Sequence, residues 1–324
     1  MTARVRVPAT SSNLGAGFDC IGIAVDRWLV ASVTLQKSGG GAFSICRHGK
    51  LSAVKVRPDQ DLFTRGFRAA CAAGGAATPA GVTIDATSDI RVGCGLGSSA
   101  AAIVAGAMLA DAALGLGLSR AQVLEIGTTI EGHPDNIAPA IFGGAVLSAH
   151  TPAGLVASPL RVAPGIELLI AVPPFPNDTK AARAALPQTL PHTDAVIAAG
   201  RAAALVQGLA TGDGALLGAA LDDVLHVPFR RARIPGYDAV VEAAKQAGAY
   251  GATLSGAGSA ILAIAPRERS ASVGTAMLAA WDEYGVEAEL ITCSSAVPGA
   301  SVSAVTTHHA PRTSHPSAVL KEIS

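Results

Sequence analysis

Aromatic side chains make up only 4% of the 324 residues, although half of the chain is hydrophobic. Its bulk therefore comes from Ala, Val, Leu, Ile and 36 glycines. That supply suffices for a large core of small side chains and excludes a disordered polymer. Charge of neither sign is in excess, with Lys plus Arg at 24 and Asp plus Glu at 24. The balance argues against a surface built for nucleic acid. The five cysteines (Cys20, Cys46, Cys71, Cys94, Cys293) are scattered and never spaced CxxC. A disulfide scaffold or zinc finger is thereby disfavoured, and reduced thiols in a cytosolic protein fit better. No apolar h-region accompanies Met1-Thr2-Ala3-Arg4, so no secretory signal is expected. The one long apolar stretch, Ala100 to Leu118, is mostly Ala and Gly and is interrupted by Asp111. It reads as a buried helix rather than a membrane span. A cytoplasmic protein with no membrane partner is expected.

Length predicts two domains at ~100–200 residues each, or one large one. Short β-branched runs alternate with Ala-rich helical patterns, which predicts mixed α+β layers. Strands are expected at 31–35, 82–84, 145–148, 166–172, 261–264 and 286–292, with one more ending at Leu254. Gly39-Gly40-Gly41 supplies a turn. Ser119 and Gln122 have capping-box spacing for a helix from about residue 120 to Glu131, and Pro134 breaks the chain beyond it. Further helices are expected at 193–209, 214–226, 237–248 and 270–284. The proline-bearing stretch from His150 to Pro164 places a boundary between an N-terminal domain, 1–155, and a C-terminal domain, 156–306. The tail, 307–324, lacks periodicity and is expected to be weakly ordered, and its His308, His309 and His315 show no metal-binding pattern.

Chemistry concentrates in four segments. Gly93-Cys94-Gly95-Leu96-Gly97-Ser98-Ser99-Ala100-Ala101 places glycines before a helix. There they aim free N–H groups and the positive end of the helix dipole at an anion. Neither GxxxxGK[ST] nor GxGxxG is present, and a tight structural turn capped by a serine is the plain alternative. Pro8-Ala9-Thr10-Ser11-Ser12-Asn13-Leu14-Gly15-Ala16-Gly17-Phe18-Asp19 carries polar groups unsuited to a buried strand. Glu131-Gly132-His133-Pro134-Asp135-Asn136 crowds polar side chains at a helix break, and Leu254-Ser255-Gly256-Ala257-Gly258-Ser259 makes a second glycine loop.

Together and in this order, these segments resemble the motifs of the GHMP kinases, and within them the homoserine kinase family. Thr179-Lys180-Ala181-Ala182-Arg183-Ala184-Ala185-Leu186-Pro187 is similar to that family's T-x-x-A-R-x-x-L-P segment, and His226-Val227-Pro228-Phe229-Arg230 to its H-x-P-Y-R. The resemblance runs from Val5 to about Pro266. It implies an α+β two-domain GHMP kinase fold, with an N-terminal ribosomal-S5-like domain and a C-terminal ferredoxin-like α/β sandwich. It also implies ATP and Mg²⁺ as cofactors, L-homoserine as the acceptor, and a homodimer.

Residue by residue, the resemblance implies that Gly93, Gly95, Leu96, Gly97, Ser98, Ser99 and Ala100 bind the phosphates, with Ser98 and Glu131 as Mg²⁺ ligands. Asn13, Asp19, Asp135, Asn136, Arg183, Arg230 and Gly256 fall at substrate positions. Asp19 would answer the ammonium, and the two arginines the carboxylate, which guanidinium forks bind well. Asp135 alternatively caps the helix at Asn136. Asn136 stands where mevalonate kinase and galactokinase keep a catalytic aspartate. An amide takes no proton at neutral pH, so catalysis by Asn136, Ser98 and Glu131 would be chiefly orientation. His133 reads as structural and Cys94 as a small filler. Two family prolines are replaced, by Arg91 and Ser259, and Asp61-Leu62-Phe63 replaces a more usual Asn-Leu pair near the adenine side. Arg91 either adds a cation near the phosphates or faces water.

Overall fold

The computed structural model describes residues 2–36, 43–293 and 297–304. The expected turn at Gly39-Gly40-Gly41 and the tail from Thr307 lie outside the described residues. The larger sheet starts from a long antiparallel hairpin of β1 (Thr2–Asn13) and β2 (Gly17–Gln36). To it are added β3 (Phe43–Gly49), β4 (Gly81–Ser88), β5 (Ala145–Thr151) and β6 (Gly154–Leu160). β4 and β3 extend it beside one end of β2, whereas β5 and β6 branch from the other end. The second sheet has the order β10-β7-β9-β8 and comprises β7 (Ile166–Val172), β8 (Gly251–Leu254), β9 (Ile261–Pro266) and β10 (Glu289–Cys293). β11 (Ser301–Ala304) then returns to pair with β1.

Helices α1 (Leu62–Ala73), α2 (Ser98–Leu114), α3 (Arg120–Glu131) and α4 (Ile137–Phe142) belong to the larger sheet's half. α5 (Thr179–Ala184), α6 (His192–Thr211), α7 (Gly214–Leu221), α8 (Val227–Arg230), α9 (Tyr237–Gln246) and α10 (Ser270–Asp282) follow. α2 is apolar on nearly every side because it runs through the main core, as its Ala-rich sequence requires. Along β7 the strand period divides two cores. Leu168, Ile170 and Val172 join the main one, while Leu169 and Ala171 face Met277 and Trp281 beneath α9 and α10.

The α+β class agrees with the sequence reading; three local expectations do not. The polar run at residues 10–13 is the end of β1, with Thr10, Ser11, Ser12 and Asn13 all buried. Each finds a side-chain or backbone partner, which removes the penalty that made a strand look unfavourable. The boundary at residue 155 falls inside β6, which pairs with β5 from Ala145↔Leu160 to Thr151↔Gly154. Pro159 is tolerated because, among the described residues, β6 pairs with β5 alone and forms an edge strand. The helix expected over 214–226 ends at Leu221 and is followed by the short α8.

α1 and α2 cross at glycines. A Cβ on Gly66 would lie 2.3 Å from the Ile103 carbonyl oxygen, and one on Gly106 2.1 Å from that of Phe63. Gly→Ala in an exposed helix stabilises by up to about 1 kcal/mol. Gly106→Ala should instead destabilise by roughly 1–3 kcal/mol through overpacking, read as a lowered urea midpoint at unchanged m-value.

Candidate active site

The loop before α2 is held by its carbonyls. Those of Gly93, Cys94 and Leu96 accept from the backbone N–H groups of Asn177, Ala260 and Thr10 at 2.8, 3.1 and 3.1 Å. That of Gly95 accepts from the Ser255 hydroxyl at 2.6 Å. With the carbonyls turned into the protein, the N–H groups of Gly95, Leu96 and Gly97 have no protein acceptor among the described residues. Gly97 is the N-cap of α2 at φ +63°, and no side chain caps the helix. A Cβ there would lie 1.9 Å from Thr10 Oγ1, so both backbone conformation and space demand glycine. The capping serine of the plain alternative is absent. Ser98 and Ser99 instead occupy the first helical positions, and the Ser99 hydroxyl donates to Glu131 Oε1 at 2.5 Å. Ser98 lines the same cleft, but Ser99 is the serine that faces the carboxylate.

Opposite this helix start lies the turn between β1 and β2. Asn13, Leu14 and Asp19 all have left-handed backbone, at φ 72°, 49° and 58°. Such clustered strain in non-glycine residues persists only where surrounding contacts enforce it, and it collects at binding sites. Here the Asn13 amide is the clamp: its Nδ2 donates to the Gly256 carbonyl and its Oδ1 accepts from the Asp19 N–H, both at 3.0 Å. Asn136 is similarly fixed, accepting from Thr10 Oγ1 at 2.7 Å and donating to Ser12 Oγ at 3.0 Å. Asp135 does not cap α4, whose N-cap Asn136 has no side-chain cap bond. Its buried carboxylate pairs with His133. Burial pushes the His133 pKa down, but the hydrogen bond and charge of Asp135 outweigh it and raise it above the ordinary histidine value. His133 therefore belongs to the cleft, which its place before a proline did not suggest.

Arg183, from α5, forms a two-pronged ion pair with Asp19 at 2.9 and 2.7 Å. That pairing raises the arginine's pKa further. Arg230, at the end of α8, is 2% exposed. Burial, and then the neighbouring Arg183 charge, lower its pKa. Both guanidinium groups approach the Phe18 ring, with Cζ 5.8 Å (Arg183) and 5.3 Å (Arg230) from its centroid. One cleft thus gathers every residue given a site role in the sequence reading except Ala100, which is buried in the first turn of α2.

A second hollow of about 310 Å³ adjoins the glycine loop at Gly93, Ser98 and Ser99, walled by Leu51, Val54, Val56 and Val92. Asp61 lies at its edge, paired with Arg47 and capping α1 through the Phe63 N–H. Arg91 is half-buried and, with Arg27, pairs with Glu289 on β10. Ser259 supplies what a proline could equally leave out, a hydroxyl bond to the Phe175 carbonyl that ties the second glycine loop to the chain after β7.

Residues 61–144 match the model of the GHMP kinase N-terminal domain, and residues 205–283 that of the GHMP kinase C-terminal domain. The homoserine kinase of Nostoc punctiforme is 39% identical over 301 residues, covering 91% of this chain and 96% of that protein. That of Gloeobacter violaceus is 42% identical over 281 residues, 86% of this chain and 92% of that protein. The crystal structure of homoserine kinase from Cytophaga hutchinsonii aligns with a TM-score of 0.83 at 29% identity, over 93% of this chain and 97% of the other. L. major mevalonate kinase, at 16% identity and a TM-score of 0.67, shares the fold. The likeness covers most of the chain and both halves of the molecule: this chain belongs to the homoserine kinase family of the GHMP kinases.

Proposed function

We propose that the chain transfers the γ-phosphoryl group of ATP to the side-chain hydroxyl of L-homoserine. The observation that carries this reading is the meeting, in one cleft, of an uncapped helix start with a set of side chains matched to a zwitterion. The free N–H groups of Gly95, Leu96 and Gly97 and the α2 dipole would receive the phosphates. The apolar hollow at Val54, Val56 and Val92 has room for a purine. Glu131 and Ser99 are two hard oxygen donors hydrogen-bonded to each other at the helix start, a set that suits a largely hydrated Mg²⁺. Ser99, rather than Ser98, is the better partner for Glu131. When bound there, Mg²⁺ would neutralise charge on the transferring phosphates.

Asp19 and Arg183 neutralise each other while the cleft holds no substrate. A bound α-amino acid replaces that pair with two, its ammonium on Asp19 and its carboxylate on Arg183 and Arg230. Asn136 is locked by Thr10 and Ser12 and cannot serve as a base, so the chain's contribution at the hydroxyl is orientation. A phosphate oxygen is then the acceptor for the hydroxyl proton.

Two outcomes test this reading. Glu131→Gln should lower kcat about 100-fold or more and Ser99→Ala about 10-fold, with Ser98→Ala milder than either, since a charged ligand contributes more than a hydroxyl that water can replace. Steady-state ADP release at saturating Mg²⁺ measures all three, and a larger loss for Ser98→Ala than for Ser99→Ala reverses the metal pair. Asp19→Asn should raise the homoserine KM roughly 10- to 150-fold, the range of one charge-assisted hydrogen bond. It should spare 4-hydroxybutanoate, which lacks the amino group. Equal losses for both acceptors would remove Asp19 from ammonium recognition.

A further inference from the structure

Behind Arg230 lies a histidine that the reaction itself does not use. His226 is 0% exposed. Its Nε2 is 3.3 Å from the Gly15 carbonyl oxygen, an atom that can only accept, so Nε2 carries the proton. Nδ1 is then a lone pair, and it faces Arg230 Nη1 at 3.3 Å. The ring stacks on Phe18, with centroids 5.0 Å apart and planes 21° apart. Asp223 does not make it an imidazolium partner. Its Oδ2 is 3.8 Å from Nε2, and it accepts instead from the N–H groups of His226 and Val227 at 2.6 and 2.8 Å. Burial holds the ring's pKa well below the ordinary histidine value, with the Arg230 charge acting the same way against the opposing charge of Asp223.

We infer that His226 is a positioning residue for the substrate carboxylate: its neutral Nδ1 and the Ala182 carbonyl hold the Arg230 guanidinium so that its remaining N–H donors face the cleft. The inference rests on the reading of Arg230 as a carboxylate ligand. A guanidinium so buried has no water to replace a lost acceptor, and a chain with five donors and several free torsions needs two fixed bonds to aim the others. The Gly15 carbonyl supplies the other half of the device. It belongs to the same strained turn as Asn13 and Asp19, so the turn that presents the ammonium partner also sets the tautomer behind the carboxylate partner. Both ends of the zwitterion are thereby registered to one piece of backbone.

The test compares homoserine with 3-aminopropan-1-ol, the same alcohol without its carboxylate. His226→Phe keeps a ring against Phe18 but removes the acceptor. It should raise the homoserine KM about 10-fold, at the lower end of a charged hydrogen bond's range, with kcat and the ATP KM little changed and the KM for 3-aminopropan-1-ol unmoved. His226→Asn restores an acceptor near the Nδ1 position and should recover most of the loss. Equal effects on both alcohols, no effect on either, or an Asn variant as impaired as the Phe variant would overturn the inference. Arg230→Lys separates it from the reading beneath it. An unmoved homoserine KM in that variant withdraws Arg230 as carboxylate ligand, whereas a raised KM there beside an unmoved one in His226→Phe overturns the role of His226 alone.

Discussion

Everything at this site depends on four carbonyl oxygens. Gly93, Cys94, Gly95 and Leu96 each accept a bond from a different part of the chain: the segment after β7, the residue before β9, the second glycine loop and β1. Turning those carbonyls inward is what leaves successive N–H groups without a protein acceptor among the described residues, and it couples both halves of the molecule to the glycine loop. The buried hydroxyls of β1 follow from the same constraint. Thr10 and Ser12 clamp Asn136, Ser11 meets Ser255, and the Ser12 carbonyl accepts from the Gly256 N–H, so the three glycine- or serine-rich segments form one network. Polar groups so paired specify a single arrangement, because any slip would strand several of them without water.

Electrostatics then divides the cleft. On one side stand the α2 start and Glu131, suited to phosphate and a divalent cation. On the other, Asp19, Arg183 and Arg230 offer both signs within reach of Phe18. The exposed Asp19–Arg183 pair contributes little to stability, being partly solvated on both sides. Its displacement by a zwitterion, as proposed, would therefore cost little.

Features governed by local sequence were legible in advance. The α3 helix starts at Ser119 with the expected capping box and ends at Glu131, and β7 spans Ile166–Val172 as its apolar run suggested. The residues proposed to hold the substrate rest on motif resemblance, since Arg183 and Arg230 come from separate helices that nothing local brings together. What was missed needed long-range information. β1 reads as too polar until Asn136 and Ser255 appear opposite it. The contact of Ser99, rather than Ser98, with Glu131 turns on helix phase, set by Gly97 as N-cap. His133, the apolar hollow beside Val92 and the bond from Arg230 to His226 exist only once remote elements pack.

The claim that one cleft joins phosphate binding to amino-acid recognition is tested most directly by an acceptor panel. The purified chain is given ATP, Mg²⁺ and, separately, L-homoserine, L-threonine, L-serine and mevalonate, with phosphorylated product followed by ³¹P NMR. The account predicts that L-homoserine gives the highest kcat/KM and that its product is the side-chain phosphate ester. Preference for mevalonate, or ATP turnover that no acceptor stimulates, would contradict it.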